Sequence, residues 1–460
     1  ERLRRAALWY EQAGRLEAAI DQAVAAEDWE IAERCIRPLC RELMDRDSHH
    51  SRLHLLSKLP EARVLADPDM ARWYISALQY TGQIREAQRA FVDVEPRWQA
   101  SGDPAQLGYA ASTRTMFASM NGELDLALEL SHEALRHFPP DYAVDRMHSW
   151  TGVMQFEFQR GDDEAVAHAY RQAALCRERL PAEQWWWTAL VEPDRANYLA
   201  LRGDLRAAWD LAHELLTGLP ATYRRYEAKI RAFIAAIALE WDRLDVAARH
   251  VPSIERDLED FPLQIWHQDA LLVVARVYEA MGDNEQSAAT LLRLRELQIE
   301  HGGRRLQYRL EAVQVPAWLE AGQLGRAKAW AEHAQIADQP WVRVFGDVDP
   351  RLMRARVHLA GGQAARAGDE LSALQEQAVG ARRWAELVPL CAWQAVVRLD
   401  LGDEDGALAA FRTALHHGMR GGFVRSFLTP GYDLAPFLRR VREHLTADEI
   451  AYAHRVIGGD

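Results

Sequence analysis

Gly402-Asp403-Glu404-Asp405-Gly406-Ala407-Leu408-Ala409-Ala410 is the stretch that decides the fold, because the chain keeps rewriting it. A turn residue, usually Gly followed by Asp, Glu or Gln, stands five residues ahead of a small residue that opens an apolar stripe. Versions occur at Gly82/Ala87, Gly122/Ala127, Gly161/Val166, Gly203/Ala208, Asp242/Ala247, Gly282/Ser287, Gly322/Ala327, Gly362/Ala367 and Gly402/Ala407. Successive markers lie 40, 39, 42, 39, 40, 40, 40 and 40 residues apart. So steady a period predicts an array of stacked helical hairpins instead of one compact core.

Each marker reads as the end of one helix and the start of the next. A residue just past a helix end adopts the left-handed conformation at least cost when it has no Cβ, and an acidic residue after it suits the next helix's N-terminus. Apolar residues recur at helical spacing on both sides, as in Leu271, Leu272, Val274, Ala275, Val277 and Tyr278 before Gly282, and Ala288, Leu291, Leu292 and Leu294 after it. Seven residues upstream of the marker stand Ala196, Ala235, Ala275, Ala355 and Ala395. Small residues there let the two helices of a hairpin approach closely.

The Gly-Asp turn and the alanine after it resemble the tetratricopeptide repeat, whose unit is about 34 residues, so these units are longer by roughly a turn and a half of helix. The longer repeats are similar to those of the sensor domain of MalT-like, ATP-dependent LuxR-type transcription activators, and both ends of the chain share the likeness. Arg4-Arg5-Ala6-Ala7-Leu8-Trp9-Tyr10, Ala13-Gly14, Glu17-Ala18-Ala19-Ile20 and Ala25-Ala26-Glu27-Asp28-Trp29 resemble the stretch where those proteins leave their ATPase half. Gly421-Gly422-Phe423-Val424-Arg425-Ser426-Phe427-Leu428 and Pro436-Phe437-Leu438-Arg439-Arg440 resemble the segment that closes the sensor ahead of a DNA-binding helix-turn-helix. The resemblance implies an all-α, right-handed superhelix (an α-solenoid) that binds an inducer and thereby favours ATP-dependent self-association and promoter activation by the full-length protein. ATP itself is expected in an N-terminal half beyond this sequence, and no cofactor is expected here.

Composition sets limits. With 460 residues, 49% of them hydrophobic, the chain can bury a large core. A net charge of -13 argues against a nucleic-acid face on this piece. Only Lys58, Lys229 and Lys328 are lysines; the other basic residues are arginines. Cys35, Cys40, Cys176 and Cys391 make no metal-spaced or disulfide-like pattern, so a reducing cytoplasm is the expected compartment. No apolar run is long enough to span a bilayer, and none at the N-terminus looks like a signal sequence. A start at Glu1 fits a piece of a longer protein.

In chain order, residues 1–66 are expected to form helical hairpins at the junction with the ATPase half, 67–418 nine repeats, and 419–460 capping helices. His50 and His54, one helical turn apart, have the spacing of two ligands on one face but no evident third. There is no GxxxxGK[ST], HExxH or GxSxG, so the chain reads as non-enzymatic.

Function is expected on the inner wall, lined by the first helix of each hairpin. Trp185-Trp186-Trp187 opens one such helix, and three successive indoles cannot share a single face. At the same early position other repeats carry Arg224, Arg225, Tyr226, Trp266, Arg304, Arg305, Phe345 and Trp384. Aromatic faces beside guanidinium forks suit a sugar ring, an aromatic small molecule or an acidic peptide, although aromatic residues at helical spacing also serve plain interhelix packing. By the tetratricopeptide resemblance, positions six and thirteen before each turn also face inward: Tyr109, His148, Gln155, Asn197, Asp269, Arg276, Arg309, Asp349 and Arg356. The candidate ligand-binding set is therefore His148, Trp186, Trp187, Asn197, Arg225, Tyr226, Trp266, Asp269, Arg276, Arg305, Arg309, Phe345 and Arg356. The alternative is a scaffold whose groove holds a peptide or protein.

Overall fold

The computed structural model describes residues 1–45, 48–181, 188, 190–220, 223, 226–260, 267–301, 304–333, 343–428, 432 and 434–457. For 44–45, 259–260, 267, 297–301 and 304–308 it describes the backbone alone. The described residues form 25 α-helices and no strand.

Nine hairpins run from Pro68 to Gly421. Their first helices are Pro68–Tyr80, Pro104–Asn121, Ala143–Arg160, Glu192–Leu201, Glu227–Glu240, His267–Ala280, Arg304–Glu320, Pro350–Ala360 and Trp384–Asp400. Each ends within two residues of its turn marker. The markers all have positive φ, the glycines between +69° and +86° and Asp242, standing where its neighbours have glycine, at +57°. The acidic residue after the glycine has a definite task. Asp162, Asp204 and Asp403 each accept a hydrogen bond from the backbone N–H three residues on, at 2.9, 3.1 and 2.9 Å, capping the second helix. Such caps contribute about 1 kcal/mol each. The alanines seven before the turn are all buried, so the paired helices touch where the sequence made room.

The array curls until it meets itself. The first helix of the seventh repeat packs on that of the second. Beyond it, the turns of repeats three to five rest on the last two repeats and the C-terminal segment. Arg202 donates to the carbonyls of Ala381 and Arg382 at 2.6 Å, and Asp163 bridges Arg202 and Arg382. Trp241 Nε1 donates to Gly421 O at 2.7 Å, and Val424 N to Glu240 O at 3.0 Å.

The N-terminal helices, Arg2–Gln12 through Glu61–Ala66, share a separate core around Ile20, Ile36, Leu56 and Trp73. The far end is closed by Ala435–Val441 and Ala447–Ile457, where Phe411, Phe427, Phe437 and Tyr452 meet edge to face. All four cysteines are free and buried. Among the described residues no helix is long and apolar enough to cross a membrane.

One expectation fails. The steady period puts Phe345 in the opening turn of a first helix, but that helix begins at Pro350. Proline favours the first helical position, and Asp349 caps the helix by accepting from Arg351 N at 2.8 Å. Residues 343–349 are non-helical and cross the hollow.

Candidate functional site

The first helices of repeats one to seven surround a chamber of about 500 Å³. Its wall from repeat two is rich in hydroxyls and thioethers: Ser112, Thr113, Thr115, Met116, Ser119 and Met120. Phe156, Tyr198, Tyr226, Phe233 and Phe345 give it aromatic faces.

Most of the charge inside is paired within the wall. Arg72 donates to Asp145 at 2.8 Å and to the Tyr109 hydroxyl at 2.6 Å, its guanidinium lying 4.2 Å from the Tyr109 ring centre. Burial pushes the Tyr109 hydroxyl well up. Burial also pulls against the charged form of Arg72, but Asp145 and Tyr109 outweigh it and leave that group raised. Gln155 donates to Asp194 at 2.6 Å. Burial raises the Asp194 carboxyl against the opposing pull of Lys229 and Gln155. Tyr198, stacked 4.4 Å from Phe158, has a buried hydroxyl with no partner among the described residues.

The segment 343–349 forms one side of the chamber and is tied from several directions. The Asn197 side chain holds its backbone twice, donating to Arg343 O at 2.9 Å and accepting from Phe345 N at 2.7 Å. Arg276 donates to Gly346 O, and Arg309 bridges Asp269 and Asp347. Arg309 stays raised because the two carboxylates outweigh its burial. Gly346 sits at φ +88°, where an added Cβ would come within 3.1 Å of Ala236 Cβ. The same segment borders a second cavity of about 1530 Å³ on its other side.

Of the residues singled out from sequence, His148, Asn197, Tyr226, Asp269, Arg276, Arg309 and Phe345 line this one chamber. Arg356 lines the second cavity, as does Arg276. Trp186, Trp187, Arg225 and Trp266 lie outside the described residues, as do Trp185 and Arg224. For Arg305 only the helix backbone is described. Asp349 caps its helix and pairs with Arg343, whose charge, with that of Arg351, holds the Asp349 carboxyl well below its ordinary range despite burial. Lys229, Asp194 and the Arg72–Asp145 pair were missed. Lys229 was legible, since it stands thirteen residues before the Asp242 marker, whereas the other three depend on how neighbouring repeats align. His50 and His54 lie on the His49–Leu56 helix, and among the described residues no group of three metal-ligating side chains forms.

The family described as the MalT-like TPR region matches residues 108–444. No curated protein matches the chain. Among solved structures, the chain is similar to the yeast Tom70 crystal structure at 10% identity, with 99% of this chain and 98% of that one covered and a TM-score of 0.40. It is also similar to the APC/C hetero-tetramer Cut9-Hcn1, at 11% identity with 99% and 92% covered and a TM-score of 0.36. The complex of Naa15/Naa10 with HypK-THB is matched at 12% identity, 99% and 88% coverage and a TM-score of 0.26.

Proposed function

The chain belongs to the MalT-like TPR region family, a helical repeat domain for sensing or protein interaction, and we propose from this that it is the signal sensor of an ATP-dependent transcription regulator. A small-molecule inducer occupies the chamber and favours the self-associating, promoter-activating form of the full-length protein. The observation that carries this reading is the convergence of seven first helices on one 500 Å³ space with aromatic faces, hydroxyls and a few charged groups. Its size falls within the range of small-molecule sites, about 300–1,000 Å³. The 343–349 segment across the hollow also favours a compact ligand over a peptide threaded through it. An inducer shifts the regulator only if it binds the active arrangement more tightly than the resting one.

Thermal unfolding of the protein against a panel of metabolites and peptides tests the reading. A ligand at one hundred times its Kd adds about 2.7 kcal/mol of stability. The expected result is saturable stabilisation by one metabolite class, weakened by His148→Ala and Lys229→Met but not by Trp9→Ala on the exposed N-terminal helix. Stabilisation by peptides alone would favour a scaffold, and a metabolite effect untouched by both chamber variants would remove the chamber as the site.

A further inference from the structure

The second cavity holds a buried cation with no ion-pair partner among the described residues. Arg356, on the Pro350–Ala360 helix, is only 8% exposed. Its guanidinium carbon lies 4.5 Å from the Trp393 ring centre. Among the described residues its hydrogen-bond contact is to Met353 Sδ at 3.5 Å, and its Nε has no partner. A guanidinium offers five N–H donors and a thioether is a weak acceptor. Among the described residues no carboxylate reaches ion-pair distance of Arg356, and its burial pulls it down to about 10. A buried cation left in this state is costly.

Opposite charge is nearby but held off. Glu320 and Glu279, from the first helices of repeats seven and six, act on Arg356 across the cavity without pairing with it. Neither carboxylate has a side-chain hydrogen bond or ion pair among the described residues. Glu279 is pushed up by burial. Trp318 and Trp330 line the same space. Arg276, Arg343 and Arg425 also line the cavity, but they are engaged by Gly346 O, Asp349 and Asp242 respectively, so an entering anion would meet Arg356 beside two carboxylates, and a cation would meet the reverse. A molecule carrying both charges satisfies all three groups together.

We propose that this cavity binds a small zwitterion, an amino acid or short peptide, with its carboxylate on the Arg356 fork and its ammonium group between Glu279 and Glu320. The fork suits a carboxylate because two parallel N–H bonds can form to it. The apolar body lies against Trp318 and Trp330. This site is separate from the chamber across the 343–349 segment, so it stands or falls independently of the inducer reading.

The test is isothermal titration of the protein with the twenty amino acids and with the dipeptides glycyl-phenylalanine and phenylalanyl-glycine. Each binder is then compared with its N-acetyl and carboxamide derivatives. At least one zwitterion is expected to bind, with either block weakening it at least tenfold; whether a free amino acid or a dipeptide binds better identifies the source. Arg356→Met and Glu279→Gln are expected to weaken binding at least tenfold, and Arg356→Lys, which keeps the charge without the fork, to weaken it measurably. Glu320→Gln, at an exposed position, supplies a variant that does not disturb the core. His148→Ala, in the other cavity, is expected to leave this binding unchanged. The proposal is overturned if no zwitterion binds, if the blocked forms bind as well as the free ones, or if folded Arg356→Met binds unchanged.

Discussion

Gly161 and Gly282 occupy the same place in their repeats and have nearly the same φ, +83° and +81°, yet their surroundings differ. A Cβ on Gly282 would meet nothing within 4 Å, whereas one on Gly161 would lie 2.5 Å from Gly380 O and 2.8 Å from Ala381 Cα. Gly282→Ala is therefore expected to cost about 1–2 kcal/mol, the price of a left-handed alanine. Gly161→Ala is expected to cost at least about 1 kcal/mol more, because backbone must move as well; equal losses in urea unfolding would contradict the contact. His250 carries a pH prediction. Burial, then Arg231, His213 and Arg249, depress it from 6.5 to about 4. The unfolded chain thus binds a proton between those values that the folded one refuses, so its stabilisation is complete above pH 6.5 and lost as pH falls through about 4. Replacing it by glutamine should flatten the fall in Tm over that window; an unaltered slope would place the acid sensitivity elsewhere.

At the scale of elements, the helices and turns were legible because local chemistry specifies them: a residue at positive φ, an aspartate cap, and an alanine where two helices cross. Spacing alone puts Asp242 in the glycine's place, where its φ is +57°. The 343–349 segment was not legible. A constant period set Phe345 on a helix, while the true start is fixed by Asp349 and Pro350. What holds the segment across the hollow is tertiary, through Asn197, Arg276 and Arg309, and no local pattern encodes that. Asn197→Ala removes both bonds to the segment's backbone at a buried position, and buried groups left unpaired cost about 1–3 kcal/mol each. The expected outcome is a loss of about 2–4 kcal/mol with faster amide exchange at Phe345. Retained protection there would show that the segment does not depend on the asparagine.

Over the whole molecule, repeats in an open solenoid stabilise only their neighbours, whereas here the turn at residue 161 touches residues 380 and 381. Asp163 joins the two layers through Arg202 and Arg382. Asp163→Ala is thus expected to raise amide exchange around residues 380–384 as well as around its own turn, and a purely local effect would argue for an open array. This closure makes the hollow a bounded chamber, and the central claim is that the chamber receives the signal. The most direct measurement is amide exchange along the chain with and without the stabilising metabolite. Protection is expected to concentrate in the first helices of repeats one to seven and in residues 343–348. Protection confined to the outer helices, or absent from the chamber wall while the metabolite is bound, would contradict it.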